Sequence, residues 1–136
     1  MQISTYLFFD GKCAEAFRFY ERVLGGKIEF MQTAGESPAR DQTPPEQHDT
    51  IMHVHMNVGD QVLMASDDPS PHFQKPQGFY VSLAIDEPAE AERIFNELSE
   101  GAEIRMPLQK TFWAARFGML VDRFGTPWMV NCAKGD

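Results

Sequence analysis

Few side chains in this 136-residue chain combine a type and a spacing that could do chemistry. His53 and His55, in "HVH", stand two apart, which on a strand turns both imidazoles to one face and would give a two-nitrogen clamp for a divalent transition metal. A third ligand would have to come from His48, Asp49, Asp67 or Asp68, all in expected loops; packing and hydrogen bonding on a half-buried sheet is the other reading of the pair. Arg116, with Trp113 before it and Trp128 after it, offers a forked donor to a carboxylate or phosphate, or an ion pair with Asp122 or another acid. The two tryptophans line a ligand site or fill the core. Asp10 and Asp86 sit where strands pass into helices and are expected to cap them. Cys13 and Cys132 lie in apolar patterns, which predicts free, unreactive thiols. No nucleophile elbow, phosphate loop, cysteine cluster or paired-carboxylate spacing stands out.

The hydrophobic pattern supplies elements to position these residues. "ISTYLFFD" (residues 3–10) reads as a buried strand ended by Asp10-Gly11. In "KCAEAFRFYERVLGG", Cys13, Ala16, Phe17, Tyr20, Val23 and Leu24 recur at three- and four-residue steps, predicting a helix that Gly25-Gly26 stops. "KIEFMQTA" is then a strand, 35–49 an exposed Pro-rich loop, and "TIMHVHMNVG" and "QVLMASDD" two strands joined at Gly59-Asp60. The order recurs. "GFYVSLAID" is a strand and "EPAEAERIFNELSEGA" a helix with Pro88 in its first turn and Ala91, Ile94, Phe95 and Leu98 as its apolar stripe. "EIRMPL", "WAARFGMLVD" and "PWMVNC" complete it as strands. At an offset of about 75 residues Asp10 falls on Asp86, Ala14-Glu15-Ala16 on Ala89-Glu90-Ala91 and Gly26 on Gly101. The chain is therefore expected to be one α+β domain (1–136) of two βαβββ modules, about 1–68 and 78–133, with a linker at 69–77.

Composition bounds the partners. The chain is 43% hydrophobic and 12% aromatic, a globular balance, and no apolar run approaches the ~20 residues a membrane helix needs. Twenty acids against 12 scattered bases give a formal charge of -8, which repels nucleic acid over most of the surface. Neither nucleic acid nor membrane is an expected partner. "MQISTYLFFDGK" lacks a basic region and a cleavage site, and the two cysteines are far apart, so a reducing cytoplasm is the expected location.

A duplicated βαβββ chain carrying "FDGKCAEAFRFYERVLGGKI" resembles the vicinal oxygen chelate superfamily, which includes glyoxalase I, extradiol dioxygenases, and bleomycin and fosfomycin resistance proteins. "FWAARFGMLVDRFGTPW" is similar to its PhnB-like branch, sometimes labelled 3-demethylubiquinone-9 3-methyltransferase. Trp113, Arg116, Gly118, Asp122, Phe124, Gly125 and Trp128 match that branch, and Arg123 replaces its usual proline. The resemblance implies a curved mixed-sheet cup. In metal-dependent members each module supplies one ligand from its first strand and one from its last. Carried onto this chain, those positions are Thr5 and Met64, then Tyr80 and Met129. A hydroxyl, a phenol and two thioethers suit no hard divalent ion, so no cofactor is expected; one divalent transition metal on His53 and His55 is the alternative. The methyltransferase label has no support in the sequence, because the Gly-Gly pair follows a helix and no glycine-rich turn follows a first parallel strand.

Alternation counted outward from those positions gives an expected cup lining of Thr5, Leu7 and Phe9; Val62, Met64 and Ser66; Tyr80, Ser82 and Ala84; and Met129 with Asn131. Trp113, Arg116 and Trp128 are added as separate candidates. This lining is apolar with a few hydroxyls and one amide, which suits a small apolar or aromatic molecule. The resemblance adds a homodimer, because modules paired between chains complete such cups in relatives. The alternative is a metal-dependent glyoxalase-like lyase, isomerase or dioxygenase, and no catalytic residue is assigned. A purely structural or partner-binding role would have only the 35–49 loop to serve it.

Overall fold

Alternating apolar residues build two four-stranded mixed sheets, each covered on one side by a helix. The computed structural model describes residues 1–134, and the chain divides into two units, Met1–Gln74 and Lys75–Asp136. The architecture is α+β, with a βαβββ order in each unit.

The first unit contains β1 (Thr5–Phe9), α1 (Cys13–Leu24), β2 (Lys27–Thr33), β3 (Ile51–Val58) and β4 (Gln61–Asp67), with sheet order β1-β4-β3-β2. Only the β1–β4 pair is parallel. Helix α1 buries Cys13, Ala16, Phe17, Phe19, Tyr20 and Val23, and the Phe17 and Tyr20 rings lie 6.2 and 6.5 Å from Phe9. Gly25 ends the helix at φ 67°, a left-handed conformation natural to glycine. The segment expected as an exposed loop instead folds into three 3₁₀ turns, Ala34–Glu36, Arg40–Gln42 and Pro45–Gln47. The His48 ring ties them together, its Nε2 lying 3.2 Å from Arg40 O and 3.0 Å from Thr43 O.

The second unit contains β5 (Val81–Ala84), α2 (Pro88–Leu98), β6 (Glu103–Gln109), β7 (Arg116–Val121) and β8 (Pro127–Cys132), ordered β5-β8-β7-β6. Again only the outer pair, β5–β8, is parallel. Ala91, Ile94, Phe95 and Leu98 of α2 are buried. Helix and sheet meet closely at Gly118, where a Cβ would lie 2.7 Å from Phe95 Cε2. Strand β7 starts later than expected because Thr111 folds back on itself: its N–H donates to Ala114 O and its hydroxyl accepts from Ala114 N–H.

Helix capping differs from expectation. Asp10 accepts the Ser70 N–H (2.9 Å) and hydroxyl (2.8 Å) instead of capping α1. Asp67, at the end of β4, takes that role: its Oδ1 accepts from Gly11 N (2.9 Å) and Cys13 N (3.1 Å), and its Oδ2 from Ile51 N (2.8 Å). In the second unit no side chain among the described residues caps α2, and the Asp86 carbonyl accepts from the Cys132 thiol. Pro88 in the first turn has no N–H to satisfy.

Candidate functional site

Each helix covers one face of its sheet and leaves the other for side chains that do not fill the core. Strand pairing identifies which residues share that open face, since partners opposite one another point the same way.

In the first unit Tyr6, Met64, His55 and Phe30 fall opposite one another across β1, β4, β3 and β2, with Phe8 beside Ser66 and His53 beside Gln32. Tyr6 OH lies 3.1 Å from His53 Nδ1 and the two rings stack at 5.7 Å. Phe8 lies 5.3 Å from Tyr6, and Phe30 6.1 Å from His53. Tyr6, Phe8 and Phe30 are exposed, so this is an aromatic surface. The expected lining of β1 is corrected here. Leu7 and Phe9 are 2% exposed and face α1, in register with Ala65 and Asp67, and Thr5 pairs with Leu63 on that same side. Both faces of β1 are apolar, so alternation alone carries no phase; the pairing with β4 does, and it puts Tyr6 rather than Thr5 beside Met64. Val62, Met64 and Ser66 do share the open face with Tyr6 and Phe8.

In the second unit a single row crosses all four strands: Ser82, Met129, Met119 and Met106. Ala84, Asn131, Phe117 and Gln109 form the next row. Tyr80 lies just before β5, and its hydroxyl accepts from Arg105 Nη1 at 3.0 Å. Ser82, Ala84, Met129 and Asn131 thus stand together as expected. Met106, Met119 and Arg105 were absent from the expected lining, because only the pairing of β6 with β7 brings them in.

The remaining candidates separate. Trp128 is corrected to core: it is wholly buried on the α2 side and its Nε1 donates to Asp122 Oδ2 at 2.8 Å. Arg116 pairs with Glu92 of α2 (Nε to Oε1, 2.9 Å) and donates from Nη1 to Ala115 O. Trp113 is half-exposed, 4.8 Å from Phe112 and 5.3 Å from Phe117. It lines, with Lys110, Arg116 and Ala133, a surface cavity of about 500 Å³.

Thr5, Met64, Tyr80 and Met129 supply neither imidazole nor carboxylate, and among the described residues no group of three His, Cys, Asp or Glu could hold a metal ion. The two histidines share a face, but His53 is engaged by the Tyr6 hydroxyl and His55 Nε2 lies 3.1 Å from Asn57 Oδ1. These donors do not fit a hard divalent ion. No helix among the described residues is long and apolar enough to cross a membrane.

Comparison with known proteins agrees with this architecture. The family model for 3-demethylubiquinone-9 3-methyltransferase matches residues 1–131. Protein PA1353 from Pseudomonas aeruginosa is 48% identical, with a TM-score of 0.88 over 100% of this chain and 99% of that one. Protein YjdN from Escherichia coli K12 is 34% identical over 142 residues, covering 98% of this chain and 97% of its own. A PhnB protein from Bacillus cereus, at 24% identity and TM-score 0.83 over 98% and 100% of the two chains, shares the fold. So do a fosfomycin resistance protein, FosX from Mesorhizobium loti (TM-score 0.63, 11% identity), and a glyoxalase/bleomycin resistance/dioxygenase family enzyme from Burkholderia phytofirmans (0.67, 12%). With a match spanning nearly every residue and two βαβββ units beneath it, the chain belongs to the 3-demethylubiquinone-9 3-methyltransferase family and has the fold of the glyoxalase/bleomycin resistance proteins.

Proposed function

We propose that the protein binds a small, partly aromatic organic molecule on the open face of its second unit, without a resident divalent metal. The observation that carries this reading is the row Met129, Met119 and Met106, flanked by Ser82 and Asn131. Thioethers are flexible and polarisable, so a row of them conforms to a flat ring and makes favourable sulfur–aromatic contacts, while the hydroxyl and amide orient it. The ligand chemistry of the four family positions supports the absence of a hard ion. Methyl transfer is not part of this reading: each sheet has one parallel pair, and Gly25-Gly26 follows a helix.

The working form is a cytoplasmic homodimer. Among the described residues each sheet ends in two edge strands that pair on one side within that sheet, which favours association, and a monomer in light scattering at high micromolar concentration would refute this part. The second reading, a metal-dependent lyase, isomerase or dioxygenase on His53 and His55, is favoured only by their shared face.

The test is elemental analysis of untagged protein together with ¹³C-methyl-methionine NMR during titration with 2-naphthylmethanol. Expected are no stoichiometric transition metal and saturable shifts of the Met106, Met119 and Met129 methyls. Stoichiometric Zn, Ni or Fe would overturn the metal-free reading, and unmoved methyl signals the binding reading.

A further inference from the structure

The methionine row is not open along its whole length. Strands β5 and β6 are the opposite edges of a four-stranded sheet, three interstrand steps or roughly 14 Å apart. Yet Tyr80, one residue before β5, and Arg105 of β6 meet in a 3.0 Å hydrogen bond, with the guanidinium 6.0 Å from the centre of the tyrosine ring. Helix α2 packs on β7 and β8 and occupies the other face, so the pair closes over the open one, above the strands that carry Met119 and Met129. Arg105 can do this because it is the extra residue where the β6–β7 register slips between Ile104 and Met106.

The guanidinium is held from two sides. Nε donates to Glu103 Oε2 at 3.2 Å and Nη1 to the Tyr80 hydroxyl, while Nη2 meets no acceptor among the described residues. The Glu103 contact is a solvent-exposed ion pair, which contributes little and leaves the cation able to bind another anion. Above an apolar floor, the group best matched to a planar guanidinium is a carboxylate, which accepts from it in a charge-assisted bond.

We infer that the ligand of this face is an aromatic carboxylate, its ring on Met119 and Met129 and its carboxylate on Arg105 under the Tyr80 hydroxyl. The inference rests on the binding reading above and narrows it: the face selects charge as well as shape. A neutral aromatic fills the floor and leaves Arg105 to solvent. The anion uses both.

The experiment compares 2-naphthoate with 2-naphthylmethanol by calorimetry and methyl-methionine NMR on the full chain. Naphthoate is expected to bind about tenfold more tightly, the equivalent of one charge-assisted hydrogen bond. Arg105→Gln should bring the two affinities to within about twofold of each other, and Arg105→Lys should retain a preference for the anion. Because Arg105 is solvent-exposed, both variants should keep the native thermal midpoint. Equal affinities in the native protein, or an undiminished preference in Arg105→Gln, would overturn the carboxylate assignment and leave the binding reading standing. If neither compound moves the methionine methyls, both fall.

Discussion

Asp122 holds the β7–β8 hairpin from inside: its Oδ2 accepts Trp128 Nε1 at 2.8 Å while its Oδ1 accepts the amides of Phe124 and Thr126 at 2.9 and 3.0 Å. The carboxylate is 4% exposed and Trp128 is fully buried, so removing the acceptor breaks three hydrogen bonds, two of them in the protein interior. Asp122→Ala should therefore cost about 3 kcal/mol in urea unfolding, at about 1 kcal/mol per hydrogen bond lost. A loss below about 0.5 kcal/mol would mean that the hairpin does not depend on this residue.

The phase of β1 has its own test. Leu7→Ala and Phe9→Ala should each lose about 3 kcal/mol, the usual cost of emptying a packed site, because both side chains face α1. Tyr6→Ala and Phe8→Ala, on the open face, should each lose under about 1 kcal/mol. The opposite order in chemical denaturation would restore the phase expected from sequence.

Asp67 makes stability depend on pH. Burial holds its carboxyl above the ordinary 3.8, three backbone amides pull the other way, and the nearby Asp10 charge adds to the rise. A carboxyl raised in the folded state favours folding most when protonated in both states, below its unfolded value. That contribution is lost as pH rises through the folded value. Relative to Asp67→Asn, the wild type should thus be more stable at pH 3 than at pH 7. A wild-type advantage that grows with pH, measured by urea melts across this range, would refute the sign.

Gly118 is a steric requirement rather than a turn. An added Cβ would lie 2.7 Å from Phe95 Cε2 and 3.0 Å from Leu108 Cα, one neighbour a ring and the other backbone. Gly118→Ala should cost about 2 kcal/mol by overpacking, read as a lowered melting temperature. A Phe95→Leu background should recover part of the loss if the ring is the obstacle.

Much of the fold was legible because it repeats with strong period. The stripe from Cys13 to Leu24 is α1 itself, and Ala91, Ile94, Phe95 and Leu98 are the buried face of α2. Locally ambiguous residues were not legible. Tyr6, Leu7, Phe8 and Phe9 are all apolar, so only contact with a strand more than fifty residues away distinguishes core from open face. The cap of α1 was misread for a similar reason: Asp10 is adjacent in sequence, but Asp67 arrives through the parallel pairing of β4 with β1. The methionine row depends on three strand registers and one slip at Arg105, information that no single segment carries.

Asp67 and Cys132 close the last strands of their respective units, yet one accepts amide hydrogens at a helix start and the other donates its thiol to a carbonyl. The duplicated halves therefore solve the strand-to-helix junction with different chemistry, a carboxylate before Cys13 in one and a proline at the first turn in the other. The two copies have ceased to be interchangeable parts. A chimera of two first halves would inherit two helices started by a carboxylate from the last strand, and one of two second halves two helices started by a proline.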